Sequence, residues 1–187
     1  MNSMVMQADI ISNWEDRHES LFGVELVKLN HRLIDSGLFS REALGRVIER
    51  CPSEHLGLRA MGTEIDDPKR MEGELGNASG MEAIEAIEMG RMWMNIRRVM
   101  DWAPEYKTLL DEVFGEFEAR MPGFKTFKRN LGVLISSPNA NVFYHADIQG
   151  QSLWQIEGSK SVYIYPRSEI FITPENVEKI LLRETAE

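Results

Sequence analysis

The sequence is poor in cysteine and in basic residues. It has one cysteine among 187 residues, and its 21 lysines and arginines stand against 30 acidic residues, for a formal net charge of −9. The single thiol, Cys51, excludes an intramolecular disulfide framework and is typical of a reducing compartment, so we expect a cytoplasmic protein. No metal-binding or redox spacing surrounds Cys51, which predicts an ordinary core or surface thiol. The acidic balance argues against a nucleic-acid partner, because phosphate contacts need a basic face.

Long hydrophobic runs are also absent. No apolar stretch approaches the roughly 18 residues that span a membrane, and the first residues lack the basic and apolar regions of a secretory signal. We therefore expect no membrane association. The sequence has no Walker-type phosphate loop, serine-hydrolase elbow, CxxC pair or HExxH helix, so these common catalytic and metal-binding classes lack support.

The first two thirds of the chain mix helical and strand patterns. Capping signals and apolar periodicity predict helices after Ser40 and Ser79, and a long amphipathic helix over 105–120. Alternating apolar residues predict strands over 24–29, 55–61 and 92–97. The charged, glycine-rich stretch 62–78 reads as an exposed loop.

The pattern changes after Gly123. Short strands are predicted over 127–135, 141–147, 151–156 and 160–165, with a tight hairpin at 157–159 and a final helix from about 174 to 182. We therefore predict an α+β protein with a mixed helix and strand region over 1–123 and the beginning of an all-β module over 124–187.

His145 and Asp147 form the most informative pair of side chains. Residues i and i+2 of a strand point to the same face, so an imidazole and a carboxylate would lie side by side. Fe(II) sites with two histidines and one carboxylate are commonly built in this way, with positions left open for other ligands. The alternative is a strand-end histidine hydrogen-bonded to its neighbouring aspartate.

Lys160 follows the predicted hairpin. If Gln151 and Leu153 face inward, the hairpin brings Lys160 onto the same inner face as the histidine. A buried ammonium is costly unless an anion meets it, and a dicarboxylate cosubstrate would supply that anion. The alternative is a solvated lysine after a turn.

The stretch YHADIQGQSLWQIEGSKSVYIYP, residues 144–166, resembles the jumonji-C and factor-inhibiting-HIF type of cupin-fold, 2-oxoglutarate-dependent oxygenases. The shared pattern is H-x-D, a strand with Gln-Ile, then Gly-x-Lys, and an aromatic strand ending in proline. The upstream stretches GRMWMNIRRV and PGFKTFKRNLGVLISSPNANVF are similar to a bacterial, cupin-like subgroup of that family.

The resemblance implies a fold, a set of ligands and a reaction. Residues 124–187 would begin a double-stranded β-helix, or jelly roll. His145 and Asp147 would be iron ligands, Lys160 would pair with the distal carboxylate of 2-oxoglutarate, and Gln151 and Leu153 would line the wall near that cosubstrate. The implied reaction couples oxidative decarboxylation of 2-oxoglutarate to hydroxylation of a protein side chain or a small molecule.

The third iron ligand is not evident from the sequence. The other histidines, His18, His31 and His55, all lie upstream, whereas the family places its distal histidine downstream on a late strand. A jelly roll has about eight strands, and the sequence after Pro166 is too short for the remainder, so we expect an incomplete barrel. Three explanations stay open: this chain is part of a longer enzyme, an upstream histidine completes the site, or the chain is a non-catalytic cupin-like binding or interaction protein. An unclosed sheet would also favour a homodimer.

Overall fold

The computed structural model describes residues 9–60, 71–138, 140–142, 145–147, 150–166 and 168–182. The chain divides into two compact units, Met1–Asn141 and Val142–Glu187. Its secondary structure is α+β, as predicted. The helices are α1 (Arg17–Leu21), α2 (Arg41–Arg50), α3 (Gly80–Met89), α4 (Pro104–Arg120) and α5 (Pro174–Leu181), and the strands are β1 (Leu56–Ala60), β2 (Met71–Gly73), β3 (Met92–Ile96) and β4 (Val133–Ser136). Three short 3-10 helices cover Leu33–Ser36, Ser53–His55 and Val99–Asp101.

The first unit contains a four-stranded antiparallel sheet in the order β2-β1-β3-β4. The inner strand β3 pairs Met94 with Leu58 on β1, and Ile96 with Val133 on β4. Met94 and Ile96 are fully buried, and α3 contacts both β3 and β4. Because alternate residues of a strand share a face, these two side chains define the core side of the sheet. The predicted boundary at 123–124 lies inside this unit, since β4 pairs with β3.

The helices begin where local capping chemistry predicts. The Ser40 hydroxyl accepts a hydrogen bond from the Ala43 amide at 3.2 Å. At α3 the Ser79 hydroxyl accepts from the Glu82 amide, and the Glu82 carboxylate accepts from the Ser79 amide at 2.7 Å. The Ser79 amide and the Ser79 hydroxyl both donate to the Glu82 carboxylate, and these two bonds hold the pKa of Glu82 below its usual range. Both predicted helix starts are confirmed.

Helices α2 and α3 cross at unusually close range. A Cβ atom added to Gly80 would lie 2.0 Å from the carbonyl oxygen of Gly45. The Gly80 amide also donates a hydrogen bond to the Glu49 carboxylate at 3.0 Å. Since backbone faces backbone at this crossing, no side-chain rearrangement can make room for a methyl group, and only glycine fits at position 80.

The segment before α1 is held against α4 by charged groups. The Glu116 carboxylate accepts hydrogen bonds from the backbone amides of Ile10 and Ile11, the second at 3.0 Å. Arg120 contacts the Asp9 carboxylate at 2.8 Å. Glu116 on α4 thus provides the acceptor for two backbone amides. Ile11, whose amide is one of them, is almost completely buried, so this contact and the apolar side chain together hold the segment in place.

The strand predicted over 24–29 is wrong. The amides of Val24 and Glu25 both donate to the carbonyl of Leu21, which makes a turn after α1. Val24 and Leu26 are 78% and 72% exposed. The alternation of apolar residues therefore occurs here without a partner strand or a core to cover it.

The strand predicted over 127–135 is shorter than expected. It covers Val133–Ser136, and Lys128, inside the predicted range, has a φ of 53° in the left-handed region, which interrupts an extended strand. The loop predicted over 62–78 includes β2, whose three residues pair with β1. Residues 61–70 lie outside the described part of the chain.

The strands predicted in the second unit are not found among its described residues. The structure assigns none to described residues 142, 145–147 and 150–166, so the predictions over 141–147, 151–156 and 160–165 are not met there. Residues 143–144 lie outside the described part. A bend does occur at the predicted hairpin, where Gly158 has a φ of 75°. The final helix is confirmed as α5, with the Thr173 hydroxyl accepting from the Asn176 amide.

Gly80→Ala is expected to lower the free energy of unfolding by about 3 kcal/mol, the upper end of typical overpacking costs, because its Cβ meets backbone atoms. Gly115→Ala is the matched control: Gly115 is an exposed glycine in α4 whose added Cβ meets nothing within 4 Å. It should raise that free energy by about 0.5–1 kcal/mol through helix propensity. Urea unfolding followed by tryptophan fluorescence measures both. Equal effects of the two substitutions would contradict the close crossing.

Glu116→Ala is expected to lower the free energy of unfolding by about 1–3 kcal/mol, because it leaves two amides without their acceptor. Glu112→Ala, at an exposed position of the same helix, should change it by less than about 0.5 kcal/mol. Amide hydrogen exchange at Ile10 and Ile11 provides a local readout. Unchanged protection of both amides in Glu116→Ala would contradict the described contact.

Candidate functional site

The structure brings His145 and Asp147 together. Their nearest charged atoms, Nε2 and Oδ2, are 3.6 Å apart, and the two side chains are 40% and 42% exposed. This separation is longer than a hydrogen bond. Nε2 therefore does not donate a hydrogen bond to Oδ2 in this arrangement, and both side chains are partly exposed.

The two atoms lie near the spacing of neighbouring ligands of one divalent ion. Nitrogen and oxygen ligands at about 2.1 Å from a metal lie about 3.0 Å apart at a right angle and about 3.4 Å apart at the tetrahedral angle. The observed 3.6 Å exceeds both spacings, by about 0.2 Å for the tetrahedral angle and by about 0.6 Å for the right angle of six-coordinate iron. Neutral imidazole and carboxylate are both ligands for iron and for other first-row divalent ions. The pair is thus suited to hold two positions of a metal.

Among the described residues, no third metal ligand lies alongside the pair. Within the part of the chain that the structure describes, no three His, Cys, Asp or Glu side chains are grouped closely enough to hold a metal ion. The described residues therefore provide at most two ligands of the iron site that the family resemblance implies, and they do not complete it. No catalytic step can be derived from two ligands alone.

Two of the three upstream histidines, His18 and His31, make local hydrogen bonds in the first unit. His18 is buried, its Nδ1 accepts a hydrogen bond from the Glu15 amide at 2.9 Å, and its ring meets Trp14 edge-on at 5.6 Å. His31 Nδ1 accepts from the Leu33 amide at 3.4 Å. In both histidines Nδ1 accepts a hydrogen bond from a nearby backbone amide, so that nitrogen already has a partner within the first unit.

The residues predicted to surround a cosubstrate are exposed. Gln151 and Lys160 are both exposed, and Leu153 is 56% exposed. The inward-facing wall that would enclose them depends on strands that are not assigned to the described residues. Their roles toward 2-oxoglutarate stay predictions.

Large apolar side chains are also exposed throughout the second unit. None of its described residues is buried. Tyr163, Ile164 and Ile170 are 79%, 65% and 88% exposed, although the rings of Tyr165 and Phe171 pack against each other at 4.8 Å. A unit of this kind exposes apolar surface that a closed barrel would bury.

A small cavity in the second unit was not predicted from the sequence. Its volume is about 170 Å³, and it is lined by Ser168, Glu169, Ile172, Pro174 and Val177. These residues come from the turn before α5 and from its first turns, and the lining contains no histidine or cysteine. No pattern in the sequence marks the cavity, since it depends on how the turn folds against the helix.

Cys51 is half-buried at the end of α2, and its thiol donates to the carbonyl oxygen of Pro52 at 3.4 Å. Burial raises the pKa of Cys51 to about 11, and Arg97 opposes this shift only in part. A thiol with a raised pKa is a poor nucleophile and a poor metal ligand near neutral pH. This environment is that of an ordinary structural thiol.

No family model, curated protein or solved structure matches this chain. No helix in the described ranges is long and apolar enough to cross a membrane. The functional interpretation therefore rests on the residues themselves and on the arrangement of His145 and Asp147.

Cys51 is expected to react slowly with a thiol reagent. In the folded protein at pH 8, the raised pKa leaves little thiolate, so Ellman's reagent should react at least about tenfold more slowly than with the urea-unfolded chain. Because the thiol pKa is higher in the folded state, the folded rate should keep rising well above pH 9. Equal rates in the folded and unfolded chains would contradict the buried environment.

Proposed function

We propose that the second unit is a divalent-metal-binding module of the cupin-like, Fe(II)/2-oxoglutarate-dependent oxygenase type, located in the cytoplasm. The observation that carries the proposal is the contact between His145 and Asp147, two residues that the family resemblance independently implies as iron ligands. Their 3.6 Å separation brings an imidazole nitrogen and a carboxylate oxygen, two ligand types that suit Fe(II), close to each other. The proposed fold of this second unit is the first part of a jelly roll.

Each residue of the proposed site has a distinct role. His145 would bind the ion through a neutral imidazole nitrogen, and Asp147 would provide a negatively charged oxygen that offsets part of its charge. Lys160 would pair with the distal carboxylate of 2-oxoglutarate, and Gln151 and Leu153 would contact that cosubstrate. When bound, Fe(II) supplies the oxygen chemistry of hydroxylation. The proposed substrate is a protein side chain or a small molecule.

The second candidate function is that of a non-catalytic cupin-like binding or interaction protein. It is favoured by the absence of a third ligand near the pair among the described residues. The exposed apolar side chains of the second unit favour it as well. In this alternative the chain would bind a metal or a partner without turning over 2-oxoglutarate.

Metal binding is measured first, by anaerobic calorimetric titration of the full chain with Fe(II). His145→Ala should weaken binding more than about tenfold, equivalent to about 1.4 kcal/mol, because it removes one of two ligands. His55→Ala, which changes a histidine of the first unit, should leave binding unchanged. Equal affinities of the His145→Ala and unmodified chains would overturn the proposed metal site.

Succinate formation then separates the two candidate functions. Production of succinate from 2-oxoglutarate that requires Fe(II) and is lost in His145→Ala would support the oxygenase. Metal binding without succinate would support the non-catalytic alternative.

The role of Lys160 is tested by measuring the affinity of the chain for 2-oxoglutarate. Lys160→Ala should weaken 2-oxoglutarate binding, whereas Lys179→Ala, at an exposed lysine on α5, should not. Unchanged 2-oxoglutarate affinity in Lys160→Ala would overturn the role of Lys160.

A further inference from the structure

We propose that His18 makes the attachment of residues 9–22 to helix α4 sensitive to pH. The segment is held while the His18 imidazole is neutral, and it is released when the imidazole takes up a proton. The switch lies in the first unit and does not depend on the metal site proposed for the second.

The His18 imidazole holds the segment through a hydrogen bond that only its neutral form can make. Nδ1 accepts this bond from the Glu15 amide at 2.9 Å. A backbone amide can only donate, so Nδ1 carries no proton in the folded chain. Both ring nitrogens of a protonated histidine are donors. Protonation therefore places two donors against each other and breaks the bond.

Burial of the ring adds a second cost to its protonation. His18 is 6% exposed. Its ring meets Trp14 edge-on at 5.6 Å, and Trp14 meets Phe117 on α4 at 6.1 Å. A buried cation costs free energy unless an opposite charge meets it. Detaching the segment gives the charged imidazole access to water, so protonation favours the detached state.

The charged side chains of the surrounding elements do not compensate a positive charge on His18. The Arg120 guanidinium lies 5.9 Å from the centre of the Trp14 ring, so a positive charge is already present nearby. The carboxylates of the segment, of α1 and of residues 116–120 on α4 either pair with arginines or are exposed. The pairs are Glu15 with Arg17, Asp9 and Glu116 with Arg120, and Glu118 with Arg129, and the exposed acids are Asp16 and Glu19.

His31 is a second histidine beside this segment. Ile11 and His31 form an antiparallel bridge, and the Arg32 amide donates to the Ile10 carbonyl at 2.8 Å. His31 Nδ1 accepts from the Leu33 amide at 3.4 Å, which is a longer bond than that of His18. The His31 side chain is also less buried. The switch is therefore assigned to His18, and His31 provides a control.

Amide hydrogen exchange of the full chain at pH 8 and pH 5 tests the switch. The protection factors of the Ile10, Ile11 and Glu15 amides should fall together by at least about tenfold at the lower pH, because an ordinary histidine takes up its proton between these values. Ordinary acidic side chains titrate near pH 4, below this range. The Met94 amide in β3 should stay protected, which distinguishes release of the segment from unfolding of the whole unit.

His18→Asn separates the imidazole from the other groups that titrate. The asparagine side-chain oxygen can accept from the Glu15 amide but takes up no proton, so protection should be equal at both pH values. His31→Asn is the matched control, and it should keep the fall in Glu15 protection that the unmodified chain shows.

Equal protection factors at pH 8 and pH 5 in the unmodified chain would overturn the switch, and so would a fall of the same size in His18→Asn. If His18→Asn does not protect the Glu15 amide even at pH 8, side-chain nitrogen NMR of the unmodified chain decides instead. Loss of Glu15 protection must then accompany protonation of the His18 Nδ1. Loss at a pH where that nitrogen is still unprotonated would reject the switch.

Discussion

The burial of one face of strand β3 is the constraint on which the first unit depends. Met94 and Ile96 are fully covered, and β3 is paired on both edges, by β1 and by β4. Helix α3 lies on the sheet and covers this face. Helix α3 in turn meets α2 where Gly80 lies against the backbone of Gly45. A register shift of one residue would place Trp93 and Asn95 on the core side instead, so the sheet and the helices fix each other's positions.

The second unit has no equivalent constraint among its described residues. Its apolar side chains lie largely in solvent, and local interactions account for its order: the turn before α5, the Thr173 cap and the contact between Tyr165 and Phe171. A bound metal ion would stabilise a unit of this kind, because a few strong metal–ligand bonds contribute folding free energy that buried apolar contacts otherwise supply. A metal bound at the proposed site, His145 and Asp147, would provide such stabilisation to the second unit.

The elements that the sequence predicts well are those whose signals are local. The caps at Ser40 and Ser79 and the periodicity of α4 depend on residues within a few positions, and they are confirmed. Strands depend on partners that are distant in the sequence. The alternation around Val24 and Leu26 therefore predicted a strand that does not form, and the three-residue strand β2 was not predicted within the charged stretch 62–78. The same distinction applies to the site. His145 and Asp147 lie two residues apart and were predicted to be neighbours, whereas a third ligand depends on tertiary contacts that no local pattern contains.

Joint binding of one divalent ion by His145 and Asp147 is tested most directly by side-chain nitrogen NMR of the four histidines during a Zn(II) titration. The Nε2 resonance of His145 should shift toward the position of a metal-bound nitrogen, the resonances of His18 and His55 should stay in place, and Asp147→Asn should reduce the shift. If saturating Zn(II) leaves the His145 resonances unchanged, the two residues do not form a metal site.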